Sequence, residues 1–398
     1  MGEQKDYVVV TLSGRDRPGI TAAFTRILVE HGVAVADIDQ ATLQDFLALT
    51  LLLDLGGPDG NGKKDSVLKD LLYEANRRGM SLDFQLLSER EIQRRREKNR
   101  FVLTFFGDTP ALADIAAVLG EANANIEKII NLGKVSPDCL ELTVDVREVP
   151  ALPRLKEQLV ALSRRLGIDL SFQKLEAYRK GKRLVFFDMD RTLVDVEVID
   201  EMARAAGVHG EVARVTEKAM RGDLDFADAL RHRVALLKGL RVEELERIRQ
   251  GMRVSEGAER LVATLKRLGY RMGVLSGGFT FFAEPLAETL GLDFAYANTL
   301  EMRDGKLTGR LVGDILDGAA KARLVHAVAG EMGVLLDQTV AIGDGMNDSL
   351  MLAQAGLGIA YNAKEGLAQV ASVQLGRTRL INILQILGVT EDDMASSS

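Results

Sequence analysis

Four short, mainly apolar runs constrain what this chain can fold into more than anything else in it: Leu184 to Phe187, Arg271 to Leu275, Thr339 to Ile342 and Gly358 to Tyr361. The first is wholly apolar, the pattern of a strand buried on both faces of a parallel sheet. Helical stretches alternate with these runs, and that alternation predicts an α/β fold with a doubly wound parallel sheet. Between the first two runs lies a charged helical stretch, about Val198 to Met252, with no strand signal. It is too long for a simple crossover and reads as an inserted helical cap. Asp304-Gly305, between two alternating runs, predicts a hairpin turn. Glu391 to Ser398 reads as a disordered tail.

The first half reads as a repeat. Strand-like runs over Tyr7–Leu12, Val33–Leu43, Phe46–Leu55 and Ser81–Leu87 surround helical stretches over Ile20–Glu30 and about Asp65–Arg78. After a charged linker the order returns, with strands over Phe101–Phe106, Asn125–Leu132, Leu140–Val146 and Asp169–Lys174 and helices over Pro110–Ala122 and Pro150–Leu166. Each copy has the order βαββαβ, that of an α+β ferredoxin-like sandwich. Such a sheet keeps an open face or edge, a place for pairing with a second copy, so a homodimer is expected. The division is then residues 1–88, residues 100–176, and an α/β domain over 182–390 with its cap at about 198–252.

At 398 residues the chain exceeds one compact core. Its net charge of −7 argues against a nucleic-acid partner. The basic run Arg94-Arg95-Arg96 has acids on both sides and reads as solvated linker. A single cysteine, Cys139, permits no intrachain disulfide and fits a reducing cytoplasm. The start, MGEQKDYVVV, lacks the layout of a signal peptide. No apolar run approaches the ~20 residues that span a bilayer. A soluble cytoplasmic protein without membrane partners is expected.

In an open α/β sheet the site forms at the carboxyl ends of the strands. Asp188-Met-Asp190-Arg-Thr192 follows the first run, Ser276-Gly277-Gly278 the second, and Gly343-Asp344-Gly345-Met-Asn347-Asp348 the third. Lys321 opens a helix just before the third. One Asp after a strand is ordinarily a helix N-cap. Four carboxylates at one sheet edge repel each other and call for a cation, and a hard divalent ion such as Mg²⁺ answers to oxygen ligands. Zinc is disfavoured, because His31, His209, His232, His326 and Cys139 show no ligand spacing. Gly343-Asp-Gly345 does not continue into a dinucleotide loop, and Ser276 lies in no Gly-x-Ser-x-Gly elbow.

These four motifs, in this order, resemble those of the haloacid dehalogenase superfamily over about residues 182–390. The resemblance implies that Asp188 is the nucleophile and Asp190 the general acid and base. It implies that Asp188, the Asp190 carbonyl and Asp344 hold Mg²⁺, with Asp348 orienting the metal's surroundings. Ser276, the Gly277 N–H and Lys321 are implied to hold the phosphoryl oxygens, with Asn347 also at the substrate. Within the cap, Glu197, Met220, Phe226 and Arg233 match the spacing of the substrate set in phosphoserine phosphatases. Read physically, Arg233 can grip a carboxylate, Glu197 can receive an ammonium, and Met220 and Phe226 can wall off water. The expected substrate is therefore phosphoserine, hydrolysed in the last step of serine biosynthesis. Another small phosphate such as phosphohomoserine is the nearest rival, and a non-catalytic amino-acid sensor the rival of another class. The repeated unit resembles the ACT domain, an amino-acid-sensing module. Gly14-Arg-Asp16-Arg-Pro18-Gly19-Ile20 matches its first loop, which implies a regulatory site at Gly14, Asp16, Gly19 and Ile20, with L-serine as ligand. The second copy, with Gly107-Asp-Thr-Pro110-Ala, departs from that pattern.

Overall fold

A computed structural model describes residues 6–56, 60–89, 91–92, 98–133, 139–175, 181–363, 366–367, 371–376 and 378–390. The Arg94–Arg96 run and the tail from Glu391 lie outside the described residues. The chain divides into two compact units, Met1–Lys98 and Asn99–Ser398.

In the first unit, Val8, Val10 and Leu12 alternate with less buried residues, so they line one face of strand β1 (Asp6–Arg15). Leu47, Leu49, Leu51 and Leu53 do the same along β3 (Phe46–Asp54). The two strands pair antiparallel from Tyr7↔Asp54 to Arg15↔Phe46. With β2 (Ala34–Leu43) and β4 (Ser81–Ser88) the sheet order is β2-β3-β1-β4. Two helices cover the apolar face: Ile20–Glu30 brings Ile20, Phe24 and Leu28, and Gly60–Arg77 brings Val67, Leu68 and Leu71. Both edge strands leave apolar side chains exposed, Val35 and Ile38 on β2 and Phe84 and Leu86 on β4. They pair in register with the buried Leu53, Leu51, Val10 and Val8, so they sit at the rims of the helix-covered face.

In the second unit, β5 (Arg100–Phe105), β6 (Asn125–Asn131), β7 (Leu140–Asp145) and β8 (Leu170–Lys174) repeat the arrangement in the order β6-β7-β5-β8. The helices Thr109–Glu121 and Leu152–Leu166 pack on it. This second copy does not stand apart. β8 pairs antiparallel with β15 (Val373–Leu375) through Val373↔Ser171 and Gln374↔Leu170. Asp169 reinforces the seam by accepting the Gly376 and Thr378 N–H groups at 2.9 and 2.8 Å. A single eleven-stranded sheet results, β12 (Lys306–Val312)-β11 (Phe294–Arg303)-β10 (Arg271–Phe279)-β9 (Leu184–Phe187)-β13 (Thr339–Gly343)-β14 (Leu357–Tyr361)-β15-β8-β5-β7-β6.

β9 (Leu184–Phe187) lies inside that sheet, parallel to both β10 (Arg271–Phe279) and β13 (Thr339–Gly343). Its side chains alternate between two cores, Val185 and Phe187 in one and Leu184 and Phe186 in the other. β14 (Leu357–Tyr361) and β11 (Phe294–Arg303) continue the parallel pairing. The expected parallel core carries antiparallel strands at its flanks, so the whole sheet is mixed. Asp304 and Gly305 both take positive φ, 50° and 71°, and this tight turn sends β12 (Lys306–Val312) back antiparallel to β11. The β15–β8 junction is antiparallel too, as are the pairings of β8, β5, β7 and β6 beyond it. Between β9 and β10 the cap folds as four helices, Val198–Ala205, His209–Met220, Phe226–Leu236 and Val242–Gly251. Their inner faces bury Val198, Met202, Val212, Leu230, Val234 and Leu245. No helix among the described residues is long and apolar enough to cross a membrane.

Candidate active site

The carboxyl ends of β9, β10 and β13 open onto one spot. Asp188 leaves β9 with its N–H still donated to Ile342 O at 2.8 Å, so the strand fixes its backbone. Two residues on, the Asp190 carboxylate turns back and accepts the Val198 N–H at 2.8 Å, at the first residue of the first cap helix. Arg191 takes a left-handed φ of 55° in the tight turn between them.

Lys321 reaches this spot from the helix Gly318–Glu331, whose start is fixed by Asp317 accepting the Ala320 N–H at 2.8 Å. Lys321 Nζ lies 2.6 Å from Asp188 Oδ1 and 2.6 Å from Asp348 Oδ1, with all three side chains closed off from solvent. The Asp188, Asp344 and Asp348 carboxylates each offer an oxygen within 4.8 Å of the others. Burial works against the charge on Lys321, but the two carboxylates outweigh it and hold the ammonium above the ordinary lysine range. Burial pushes the Asp188 carboxyl well above the usual carboxylate range; Asp348 adds to this and Lys321 opposes it. Burial and the charge of Glu197 push Asp190 up to about 7, against the Val198 N–H and Lys321.

Fully ionised, three clustered carboxylates and one ammonium leave a net charge of −2. An all-oxygen donor set with that deficit fits a hard divalent cation. Both oxygens of Asp348 are engaged. Its Oδ1 takes Lys321 and, at 3.4 Å, Asn347 Nδ2, while its Oδ2 accepts the Gly345 N–H at 3.2 Å.

Ser276 is fully buried, and its Oγ accepts the Gly278 N–H at 2.9 Å. A Cβ on Gly278 would lie 2.9 Å from Asp190 Oδ2 and 3.0 Å from Ser276 Oγ, so only glycine lets this loop approach the carboxylate. A Cβ on Gly277 would lie 3.0 Å from the Phe226 ring, which places the first residue of the third cap helix against the loop.

Family models match the chain as an ACT domain over residues 6–85 and as a haloacid dehalogenase-like hydrolase over residues 185–353. A phosphoserine phosphatase of Streptomyces coelicolor is 39% identical over 393 residues, covering 98% of this chain and 94% of that one. The chain belongs to the phosphoserine phosphatase family. A second family member, from Mycobacterium tuberculosis, is 37% identical over 398 residues, 99% of this chain and 96% of its own. Among solved structures, the unliganded probable phosphoserine phosphatase of Vibrio cholerae superposes with a TM-score of 0.59 at 31% identity, over 75% of this chain and 90% of that one.

The residues expected to recognise substrate in this family member are placed unevenly. Arg233 is half-buried, and its Nε donates to Ala229 O at 3.4 Å; it has no ion-pair partner among the described residues. Burial lowers its pKa, while Glu197, Asp200 and Asp190 pull it back up. Glu197 is paired with Arg191, Oε2 to Nε at 3.3 Å, a contact the sequence reading did not anticipate. Met220 ends its helix 66% exposed. Asn347 sits in the turn Met346–Asp348, its carbonyl 2.7 Å from where a Cβ on Gly318 would be.

The regulatory candidates lie in the first unit. Gly19, with φ 90°, precedes the helix Ile20–Glu30, and Ile20 is buried in the core. Asp16 is exposed, with its N–H donated to Asp45 O at 2.8 Å. Gly14 lies in β1 against Met80. Asn298, whose Nδ2 donates to Gly277 O at 2.9 Å, and Gly318 also belong to the surroundings of the site. Their signals were faint: a lone amide in a strand, and a glycine at a helix start.

Proposed function

We propose that this chain hydrolyses O-phospho-L-serine to L-serine and phosphate through an aspartyl-phosphate on Asp188. The observation that carries the reading is the buried Lys321 bridging Asp188 and Asp348 at 2.6 Å to each, at the meeting point of all four motifs. Lys321 occupies Asp188 Oδ1 and leaves Oδ2 to attack phosphorus. The P–O bond to the seryl oxygen breaks as Asp190 supplies the proton that oxygen needs. Asp190, now a carboxylate, takes a proton from the water that attacks the aspartyl-phosphate, releasing phosphate and restoring Asp188. Ser276, the Gly277 N–H, Asn347 and Lys321 hold the phosphoryl oxygens. Asp188, the Asp190 carbonyl and Asp344 would hold Mg²⁺, whose chemistry is to neutralise the anionic groups that must meet. Asp348, with both oxygens already engaged, orients rather than binds.

Arg233 grips the substrate carboxylate, Glu197 receives its ammonium, and Phe226 with Met220 closes over it. L-serine, the product, also binds the first unit near Gly14, Asp16, Gly19 and Ile20 and regulates from there. The ACT match over residues 6–85 supports that reading. The exposed Val35, Ile38, Phe84 and Leu86 on the edge strands support a homodimer paired through this unit. The protein acts in the cytoplasm, at the end of serine biosynthesis.

The test is phosphate release from phosphoserine, phosphohomoserine and phosphoethanolamine, with Mg²⁺ and with excess chelator. The reading predicts release that needs Mg²⁺ and favours phosphoserine. Preference for phosphohomoserine would move the substrate, and no release from any of the three would favour a sensor.

A further inference from the structure

We infer that Asn298 is a positioning residue, which sets the Ser276–Gly278 loop against the Lys321 helix. The inference rests on the phosphoryl-holding roles proposed for Ser276 and Lys321. It starts from an irregularity in the sheet. β10 and β11 pair in register through Leu275↔Tyr296 and again at Phe279↔Asn298. Between those pairs β10 carries Ser276, Gly277 and Gly278, and β11 carries Ala297 alone. The bulge takes the tripeptide out of the ladder, as bulges beside active sites do when they re-aim a strand.

Asn298 fixes what the bulge loosens. The residue is 3% exposed. Its Nδ2 donates to Gly277 O at 2.9 Å, and its Oδ1 accepts the Leu316 N–H at 2.8 Å. The first bond orients the Gly277–Gly278 peptide. The N–H of that same peptide donates to Ser276 Oγ at 2.9 Å. The second bond holds the residue just before Asp317, which caps the helix carrying Lys321. One amide thereby links the hydroxyl on β10 to the ammonium on the helix. The chemistry requires an amide, because one end must donate and the other accept. Aspartate offers only acceptors and would face the Gly277 carbonyl with a charge. Alanine leaves both backbone groups without these partners.

Asn298→Asp and Asn298→Ala, in the full chain, test the inference. Turnover of phosphoserine should fall on the order of 10²-fold in kcat, the scale of a misplacement near one ångström. KM should change little, because Arg233 and Glu197 are untouched, and inhibition by inorganic phosphate should weaken. Thermal unfolding of each variant gives the folded fraction at assay temperature, and kcat is expressed per folded molecule. A kcat per folded molecule within about threefold of wild type in Asn298→Asp overturns the inference. So does a loss confined to KM with phosphate inhibition unchanged. If the wild-type chain does not hydrolyse phosphoserine, the substrate reading fails separately. The same ratio is then read with p-nitrophenyl phosphate, where a normal Asn298→Asp rate overturns the positioning role and a comparable loss supports it.

Discussion

Lys321 and Asp188 meet at 2.6 Å inside a site neither shares with solvent, although they stand 133 residues apart in sequence. The pair is stable only because each charge answers the other, with Asp348 as the second anion on the same ammonium. Removing one partner of a buried ion pair costs about 3–5 kcal/mol, since the remaining charge is left desolvated. Lys321→Met should therefore lose stability on that scale as well as activity, as read by denaturant unfolding and phosphate release. A variant as stable as wild type would show that the carboxylates find compensation elsewhere.

Arg233→Ala should weaken use of phosphoserine by roughly 1.5–3 kcal/mol, the size of a lost charged hydrogen bond. Phosphoethanolamine has no carboxylate and should not feel the change through that contact. Comparing kcat/KM for the two substrates checks it. Equal losses would make Arg233 a general structural cation.

The continuity of the large sheet decides where the chain can be cut. A chain starting near Ala177 would strip β5–β8 and expose the β15 edge now paired with β8. A chain starting at Asn99 keeps the second unit whole. It should retain phosphatase activity and lose any response to L-serine that the full chain shows. Titrating both with L-serine reads this directly. Equal inhibition would place serine at the Asp188 site as ordinary product.

Hydrogen bonds from Arg77 and Arg78 hold the Glu74 carboxyl down at about 2, against 4.5 ordinarily. A depressed folded-state pKa contributes stability above the unfolded value and loses it as pH falls through the folded one. The first unit should thus lose stability as pH drops from about 4.5 toward 2. Glu74→Gln should lower its melting temperature near neutral pH and flatten the decline in that acid window. Thermal melts of both proteins across that window measure it, and parallel curves would contradict the assignment.

Much of this was legible in the sequence, for a local reason. Ile20–Glu30 and Leu184–Phe187 were placed to the residue, because apolar spacing and a wholly apolar run report burial directly. The Asp304-Gly305 hairpin followed from residues that tolerate positive φ. The meeting of Asp188, Asp344, Asp348 and Lys321 followed from the rule that strand ends share one sheet edge. What escaped depends on pairing. β15 is three residues long and carries no signal of its own; its pairing with β14 on one side and β8 on the other explains it. The fusion of the second repeat into the large sheet was hidden for the same reason. The Arg191–Glu197 contact arises from a left-handed turn that no propensity singles out.

Asp188→Asn keeps the shape of the proposed nucleophile and removes its charged oxygen. Phosphate release from phosphoserine under saturating Mg²⁺ should fall by several orders of magnitude, because the covalent route is lost. Turnover within about tenfold of wild type would rule out Asp188 as the nucleophile.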